Sequence, residues 1–386
     1  MFGPWYKRES SSAIAIASRV VVPLAAMLVG VLNLAQAEAP KLVEPQLVDV
    51  FTRGKEGYHT FRIPALIVTK DGTLLAISEG RKTSAADHGD VDLVLKRSSD
   101  GGKNWGPVEL IYEEGGEKKI TIGNPCPVVD RDTGVIWLPF TRDNADVFVT
   151  SSSDSGRSWS KPQRITPNVK KPNWTWYATG PGNAIQLTRG KFKGRLVIPC
   201  DHRVDDKPRR EATRSHVIYS DDHGRSWKLG GVTDFLMNEC AVVELADGTL
   251  MLNMRSYRGK GRRAISLSKD GGLTWTPCRD DPSLVEPVCQ ASLIGYASPG
   301  DGKLRLLFSN PATTTGRHHL TVRMSSDEGK TWPKNILLYK DSAAYSCLAS
   351  LPDGDAGILF ERDGYERITF SRLKLAWISA GERREP

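Results

Sequence analysis

Residues 152–159 read Ser-Ser-Asp-Ser-Gly-Arg-Ser-Trp, and this stretch decides the fold because it recurs along the chain. A copy at Ser98–Trp105 has Asn104 where the others have serine or threonine. The remaining copies are Ser220–Trp227, Ser268–Trp275 and Ser325–Trp332. In each copy, called an Asp box below, the aspartate accepts hydrogen bonds from downstream backbone N–H groups, and glycine permits a positive φ. The tryptophan is expected to pack on the strand below.

The spacing of the boxes predicts the architecture. Their aspartates lie at 100, 154, 222, 270 and 327, so successive gaps are 54, 68, 48 and 57 residues, enough for about four strands each. Alternating segments such as Phe61–Thr69 and Thr73–Glu79 flank an Asp71-Gly72 turn, a pattern typical of antiparallel sheet. Strands after Leu338, together with the start of the mature chain, are expected to complete a sixth blade. We therefore predict an all-β fold, a six-bladed β-propeller with Asp-box repeats, spanning residues 39–386.

Composition restricts the partners and cofactors. The chain has 386 residues, of which 39% are hydrophobic and 25% charged, as in ordinary soluble domains. The net charge of +8 fits an anionic ligand or a solvated basic surface, and without a long Lys/Arg block no nucleic acid partner is expected. Six scattered cysteines without C-x-x-C or paired histidines predict no metal site and leave disulfides and free thiols both open.

The first 37 residues have the pattern of a signal peptide. Lys7, Arg8 and Arg19 precede an apolar run from Val20 to Leu34, and Ala35-Gln36-Ala37 offers a cleavage site. This pattern predicts export to the periplasm, the cell surface or the exterior, with no membrane span after cleavage. An uncleaved membrane anchor is the alternative. The sequence predicts no oligomeric state.

The motif Phe61-Arg62-Ile63-Pro64, followed by five Asp boxes, closely resembles the sialidases, retaining glycoside hydrolases that release sialic acid. The resemblance covers essentially all of the mature chain. It implies cleavage of terminal sialic acids from glycoproteins, glycolipids or oligosaccharides, with no metal or organic cofactor.

The resemblance also implies three substrate-binding arginines, Arg62, Arg255 and Arg317. Sialic acid carries a carboxylate on its anomeric carbon, and guanidinium groups bind carboxylates through two parallel hydrogen bonds. Arg323 is the alternative to Arg317. Glu361 matches the acid that orients Arg62, and a buried arginine requires such a partner.

The charge of the substrate bears on the nucleophile as well. A carboxylate nucleophile about 4 Å from the substrate carboxylate would be repelled by about 4 kcal/mol at an effective dielectric constant near 20. A neutral tyrosine avoids this repulsion, and sialidases use a tyrosine nucleophile. Tyr345 resembles that nucleophile, and Glu239 resembles the carboxylate base that shares its proton.

The leaving group requires a separate acid. Asp87 lies 25 residues after Arg62, on a loop between two predicted strands, and matches the acid/base aspartate of the family. Asp90 and Asp92 are the competitors, although Asp92 begins a strand and is better interpreted as structural. His88 is interpreted as a loop residue.

Four further residues are candidates for contact with the sugar's substituents. Arg81 and Asn124 match residues at the ring hydroxyl and amide groups. Trp176 and Tyr177 are expected to line the pocket for the glycerol or N-acyl group, although core packing explains these two aromatic residues equally well.

The sequence thus predicts an exo-α-sialidase, with two classes of alternative. The same scaffold could transfer sialic acid to another sugar, as a trans-sialidase does, or hydrolyse a related nonulosonic acid. A non-catalytic sialic-acid-binding lectin would keep the boxes but lose the tyrosine, the acid or the arginines.

Overall fold

The computed structural model describes residue 1 and residues 44–205, 207–297 and 302–381. The predicted signal peptide, residues 1–37, lies outside these residues apart from Met1, and so does the prediction of export that depends on it. The strands belong to a compact unit that spans Leu42–Pro386. No helix within the described ranges is both long enough and apolar enough to cross a membrane.

The regular secondary structure of the described residues is almost entirely β, and the pairs of named strands are antiparallel. In chain order the strands are β1 (Leu47–Thr52), β2 (Thr60–Val68), β3 (Leu74–Arg81), β4 (Val91–Ser98), β5 (Glu109–Tyr112), β6 (Ile122–Gly123), β7 (Val128–Val129), β8 (Ile136–Arg142), β9 (Asp146–Ser152), β10 (Gln163–Arg164), β11 (Trp174–Thr179), β12 (Ile185–Gln186), β13 (Leu196–Val204), β14 (Thr213–Ser220), β15 (Lys228–Phe235), β16 (Met237–Glu244), β17 (Leu250–Ser256), β18 (Arg262–Ser268), β19 (Arg279–Val285), β20 (Ser292–Ala297), β21 (Leu304–Pro311), β22 (His318–Ser325), β23 (Lys334–Ser350), β24 (Ala356–Arg362) and β25 (Arg367–Leu373). Two short α-helices, α1 (Thr166–Val169) and α2 (Leu375–Ala380), and one 3₁₀ turn (Gly190–Phe192) complete the described elements. The all-β prediction is confirmed.

The prediction of six blades is wrong. Four sheets have the four or five strands of a blade, in the orders β2-β3-β4-β5, β10-β9-β8-β6 with β7 also on β8, β11-β13-β14-β15 with β12 also on β13, and β16-β17-β18-β19. The remaining strands form one seven-stranded sheet in the order β1-β25-β24-β23-β22-β21-β20. The reason is β23, whose 17 residues pair with β22 up to Ser342 and with β24 from Ala343 onwards. This one strand therefore joins into a single seven-stranded sheet the strands that the sequence analysis assigned to two separate blades.

The Asp boxes form the expected turns between successive strands. In one of them the Asp222 carboxylate accepts the Ser226 N–H at 2.9 Å, and Trp227 is buried. Gly224 has φ +84°, and a β-carbon there would overlap the Trp137 ring of the preceding sheet. The boxes therefore shape each turn and also fit it against the neighbouring sheet.

Successive sheets pack on one another in chain order, and the last packs on the first. At this final junction β1 pairs with β25, so the two ends of the described chain share one sheet. A core cluster containing Phe51, Phe61, Leu66, Leu359 and Phe370 fills the junction. It aligns β2 with β23 and β24, the strands that carry part of the site described next.

Candidate active site

A tyrosine and a glutamate meet at the centre of the site. The Tyr345 hydroxyl of β23 donates to Glu239 Oε1 of β16 at 2.5 Å. Arg255 Nη1 of β17 lies 2.6 Å from Glu239 Oε2 and 3.2 Å from the Tyr345 oxygen. Tyr345 and Glu239 are 6% and 8% exposed, so their hydrogen bond is shielded from water. The structure thus brings these three predicted residues into one hydrogen-bonded group.

Glu361 fixes the position of the Arg62 side chain. Arg62 Nε donates to Glu361 Oε1 at 2.7 Å, and Glu361 is completely buried. Glu361 also accepts the backbone N–H groups of Ile63, at 2.9 Å, and of Tyr345, at 3.1 Å. Ile63 has φ +60°, and the pairing of β2 with β3 is irregular between Arg62 and Ala65. The motif that carries Arg62 is therefore shaped around the Glu361 carboxylate.

Arg317 completes a group of three arginines around the Tyr345 ring. Its Cζ lies 5.4 Å from the ring centroid, and that of Arg62 lies 5.5 Å away. Arg317 Nη1 also donates to the Tyr365 hydroxyl at 3.1 Å. Arg323, the alternative, is buried in β22 and donates to Asn310 Oδ1 at 3.0 Å. The structure brings Arg317, and not Arg323, to Tyr345.

The electrostatics of the pair follow from these contacts. Burial raises the pKa of the Tyr345 phenol well above its usual value, and the Glu239 carboxylate raises it further. Arg255 and Arg317 act in the opposite direction but do not outweigh burial. Tyr345 is therefore neutral at rest, and its proton lies on the hydrogen bond to Glu239.

Asp87 lies on the loop between β3 and β4, and its side chain is 77% exposed. Its Oδ1 accepts from Arg81 Nη1 at 3.0 Å and lies 3.9 Å from Arg62 Nη1. Partial desolvation by the surrounding loop acts to raise the pKa of Asp87, but Arg81 and Arg62 outweigh it, so the pKa is lowered. The competitors Asp90 and Asp92 both pair with Lys82, and both are buried.

Sequence reasoning missed Glu79, which positions two predicted residues. Arg81 Nη2 donates to Glu79 Oε2 at 2.7 Å, and the Asn124 backbone N–H donates to Glu79 Oε1 at 3.0 Å. The Asn124 side chain donates to Thr141 at 2.8 Å. Glu79 and Arg81 share one face of β3 because they are two residues apart. That spacing was the available signal for Glu79.

The two predicted aromatic residues have different environments. Trp176 is partly exposed, and the Arg203 guanidinium lies 4.4 Å from its ring centroid. Tyr177 is completely buried, and its hydroxyl is bonded to His216 Nε2 at 2.8 Å. This burial favours the core-packing alternative for Tyr177: successive side chains of a strand point to opposite faces, and Tyr177 lies in a core cluster.

Gln290 is a second residue that sequence reasoning missed. Its side chain accepts the Ser346 backbone N–H at 3.0 Å and donates to the Ser346 carbonyl at 3.0 Å. It also donates to the Pro181 carbonyl at 3.2 Å. These bonds fix β23 next to Tyr345, and no motif in the sequence marks them.

All six cysteines are free thiols. Within the described residues, the candidate metal ligands that lie together are Asp130, Asp132 and His223. Both Asp130 oxygens already accept hydrogen bonds, from Gln186 on one side and from Thr133 and His223 on the other. We therefore interpret these three residues as a structural cluster, in which Asp130 connects neighbouring segments through hydrogen bonds.

The chain is similar to known proteins of one family. A family profile described as BNR repeat-like domain matches residues 72–358. The chain is 34% identical to a sialidase of Micromonospora viridifaciens, over 97% of this chain and 61% of that protein. It is 33% identical to a sialidase of Bacteroides fragilis, over 96% of this chain and 73% of that protein. The solved structure of Hadza microbial sialidase Hz136 superposes with a TM-score of 0.77 at 33% identity, covering 84% of this chain and 68% of that one. This protein belongs to the sialidase family of glycoside hydrolases.

Proposed function

We propose that this protein is an exo-α-sialidase that releases terminal sialic acids with retention of configuration, using Tyr345 as nucleophile. The observation that carries the proposal is the 2.5 Å hydrogen bond from Tyr345 to Glu239, with three arginines around the phenol ring. Relatives named sialidase at 33–34% identity support the substrate class.

In this mechanism the substrate carboxylate pairs with Arg62, Arg255 and Arg317. The Tyr345 proton passes to Glu239 Oε1 as the phenol oxygen bonds to the anomeric carbon. Because the pKa of the buried Tyr345 phenol is raised well above its usual value, loss of its proton before the bond forms is unfavourable. The proton is therefore expected to move as the new bond forms, and the nearby guanidinium groups stabilise the developing phenolate.

Asp87 serves the leaving group. In the free enzyme Arg81 and Arg62 keep its pKa low. A bound substrate carboxylate would compensate the charge of Arg62 and so raise the pKa of Asp87, favouring the protonated acid. Asp87 then gives its proton to the glycosidic oxygen as the bond to the anomeric carbon breaks. In the second step Asp87 takes a proton from water as the water oxygen bonds to the anomeric carbon and the bond from that carbon to Tyr345 breaks. The phenol of Tyr345 re-forms with the proton from Glu239.

The test is hydrolysis of a fluorogenic α-sialoside by the wild type and by Tyr345→Phe. We expect the variant to lose about 10³-fold or more in kcat, because its ring has no nucleophilic oxygen. Tyr112→Phe is the matched control, since the Tyr112 hydroxyl also faces a glutamate, Glu114 at 3.3 Å, but lies in β5. NMR of the first product is expected to show the α-anomer.

The outcomes separate the alternatives. Full activity in Tyr345→Phe would reject the nucleophile. A folded wild type that binds sialosides without turnover would be a lectin. Transfer to an added sugar acceptor in preference to water would identify a trans-sialidase.

A further inference from the structure

The mechanism leaves one buried acid unexplained. Asp201, in β13, is completely buried. Its Oδ2 accepts a hydrogen bond from Asn238 Nδ2, but its Oδ1 has no hydrogen-bond partner among the described residues. A buried oxygen without a partner is unfavourable, and it is more so on a charged carboxylate. A position that retains such a group requires an explanation.

Asn238 connects Asp201 to the catalytic pair. It precedes Glu239 in β16, at a point where the pairing with β17 shifts register between Met237 and Cys240. Regular strand pairing therefore does not fix Asn238 and Glu239. Their backbone depends on other contacts, including the hydrogen bond from Ser215 Oγ to the Asn238 carbonyl at 2.5 Å.

The same asparagine also reaches the arginine side of the site. Asn238 Oδ1 accepts from the Tyr257 hydroxyl at 3.1 Å, and the Tyr257 ring centroid lies 5.4 Å from Arg255 Cζ. Asn238 thus directly precedes Glu239 in the chain and contacts Tyr257, whose ring lies beside Arg255; Glu239 and Arg255 are the two hydrogen-bond partners of the Tyr345 oxygen. Because Asp201 accepts from its amide, Asp201 determines which way that amide faces.

We propose that Asp201 is a positioning residue for the Tyr345–Glu239 pair, acting through Asn238 and in its uncharged form. This inference rests on the proposed function, since it assigns a role within the same site. An uncharged Asp201 orients the Asn238 amide without adding a negative charge beside Glu239.

The charges around Asp201 support the uncharged form. The groups that face it are Glu239 and Asn238 from β16, Arg255 and Tyr257 from β17, Arg203 of its own strand, Tyr177 from β11, and the thiols of Cys200 and Cys240. Burial raises the pKa of Asp201 well above its usual range, Glu239 raises it further, and Arg203 and Arg255 oppose them without prevailing. At alkaline pH its ionisation would oppose binding of the anionic substrate and charge on Tyr345, so activity would fall.

The experiment compares kcat, KM and melting temperature for the wild type, Asp201→Ala and Asp201→Asn with a fluorogenic α-sialoside, from about pH 5 to about pH 10. We expect Asp201→Ala to lower kcat by roughly 10- to 100-fold with a smaller change in KM, because a displaced base misaligns the pair. Asp201→Asn, an uncharged isostere, is expected to recover most of that loss and to stay active at a higher pH than the wild type.

Asp281→Ala is the control, because it also removes a buried carboxyl, one that accepts the backbone N–H groups of Ser283 and Leu284. Equal kcat losses in the two alanine variants would overturn the proposal. So would an Asp201→Asn variant as slow as Asp201→Ala, or one with the wild-type alkaline limit. If Asp201→Ala does not fold, the pH profile of Asp201→Asn still decides. An inactive wild type would reject the proposed function itself, whereas an active wild type with unaffected Asp201 variants would reject this inference alone.

Discussion

Glu361 shows how much a single residue contributes to this site. Its two oxygens accept four hydrogen bonds, from Arg62 Nε and the Ile63 N–H on one side, and from Arg62 Nη2 and the Tyr345 N–H on the other. All four partners are donors, so a carboxylate fits and an amide does not. Glu361 thereby sets the position of both Arg62 and the backbone of Tyr345.

We therefore expect Glu361→Gln to be strongly deleterious. Its NH₂ group would face two donors, and the buried Arg62 would lose its counter-ion, a combination that destabilises proteins by about 3–5 kcal/mol. Urea unfolding would measure the stability, and sialoside hydrolysis the kcat/KM. Glu109→Gln is the matched control. Glu109 also accepts two hydrogen bonds from one arginine, Arg97, but this pair is more exposed than Glu361 and Arg62. A Glu361→Gln enzyme as stable and active as Glu109→Gln would contradict this role.

At the scale of elements, β11, β13 and β14 share a buried histidine pair. His202 Nδ1 lies 3.0 Å from His216 Nδ1, so one ring nitrogen must donate and the other accept. Trp174 stacks on His202 with the ring centroids 3.4 Å apart. Burial lowers the pKa of His216 to about 3, and burial and His216 lower that of His202. Both rings are therefore neutral in the folded protein.

This pair predicts a loss of stability in mild acid. Because the folded pKa of His216 lies below that of an unfolded histidine, near 6.5, the unfolded chain binds more protons between these values. Stability is therefore complete above about pH 6.5 and falls by up to about 1.4 kcal/mol per pH unit and per histidine as the pH drops towards the folded pKa.

Urea unfolding at several pH values, with wild type, His216→Gln and the exposed His88→Gln, tests this prediction. His216→Gln is expected to show a shallower decline, and His88→Gln the wild-type slope. An identical slope in all three proteins would contradict it.

At the scale of the whole molecule, β1 closes the ring of sheets, in which each sheet packs on the next and the last packs on the first. β1 pairs with β25 from Leu47↔Ser371 to Thr52↔Arg367, and Asp49 accepts from Arg362 and Thr369, each at 2.7 Å. Phe51 is completely buried against Phe61 of β2, with ring centroids 4.9 Å apart. The junction thus connects the strand that carries Arg62 to the sheet that carries Glu361 and Tyr345.

We expect Phe51→Ala to weaken the closure of the ring and the site together. Removing a buried phenylalanine side chain costs about 3–5 kcal/mol. Loss of tryptophan fluorescence and loss of activity in urea should move to lower concentration in parallel. Leu110→Ala is the control, since Leu110 is 55% exposed and its loss should change stability by about 0.5 kcal/mol or less. Early loss of fluorescence without loss of activity would show that the junction and the site are independent.

The sequence by itself determined the local structure and the identity of the predicted site residues. An Asp box is a turn whose hydrogen bonds lie within a few residues, so its aspartate, glycine and tryptophan specify it without distant partners. The antiparallel strands and their turns follow from the same short-range patterns. The resemblance to the sialidases supplied Arg62, Arg255, Arg317, Tyr345 and Glu239 as candidates.

Only the tertiary structure decided which residues meet. Tyr345 and Glu239 are 106 residues apart, and Arg62 and Glu361 are 299 apart, so no local pattern records their contacts. The sheet count failed because β23 pairs with β22 along its first part and with β24 along its second. Tyr177 faces the core because side chains alternate along its strand. Glu79, Gln290 and Asp201 act on backbone or side chains of other segments. Such hydrogen bonds depend on where strands distant in sequence pack, and that position is set by the cores between the sheets.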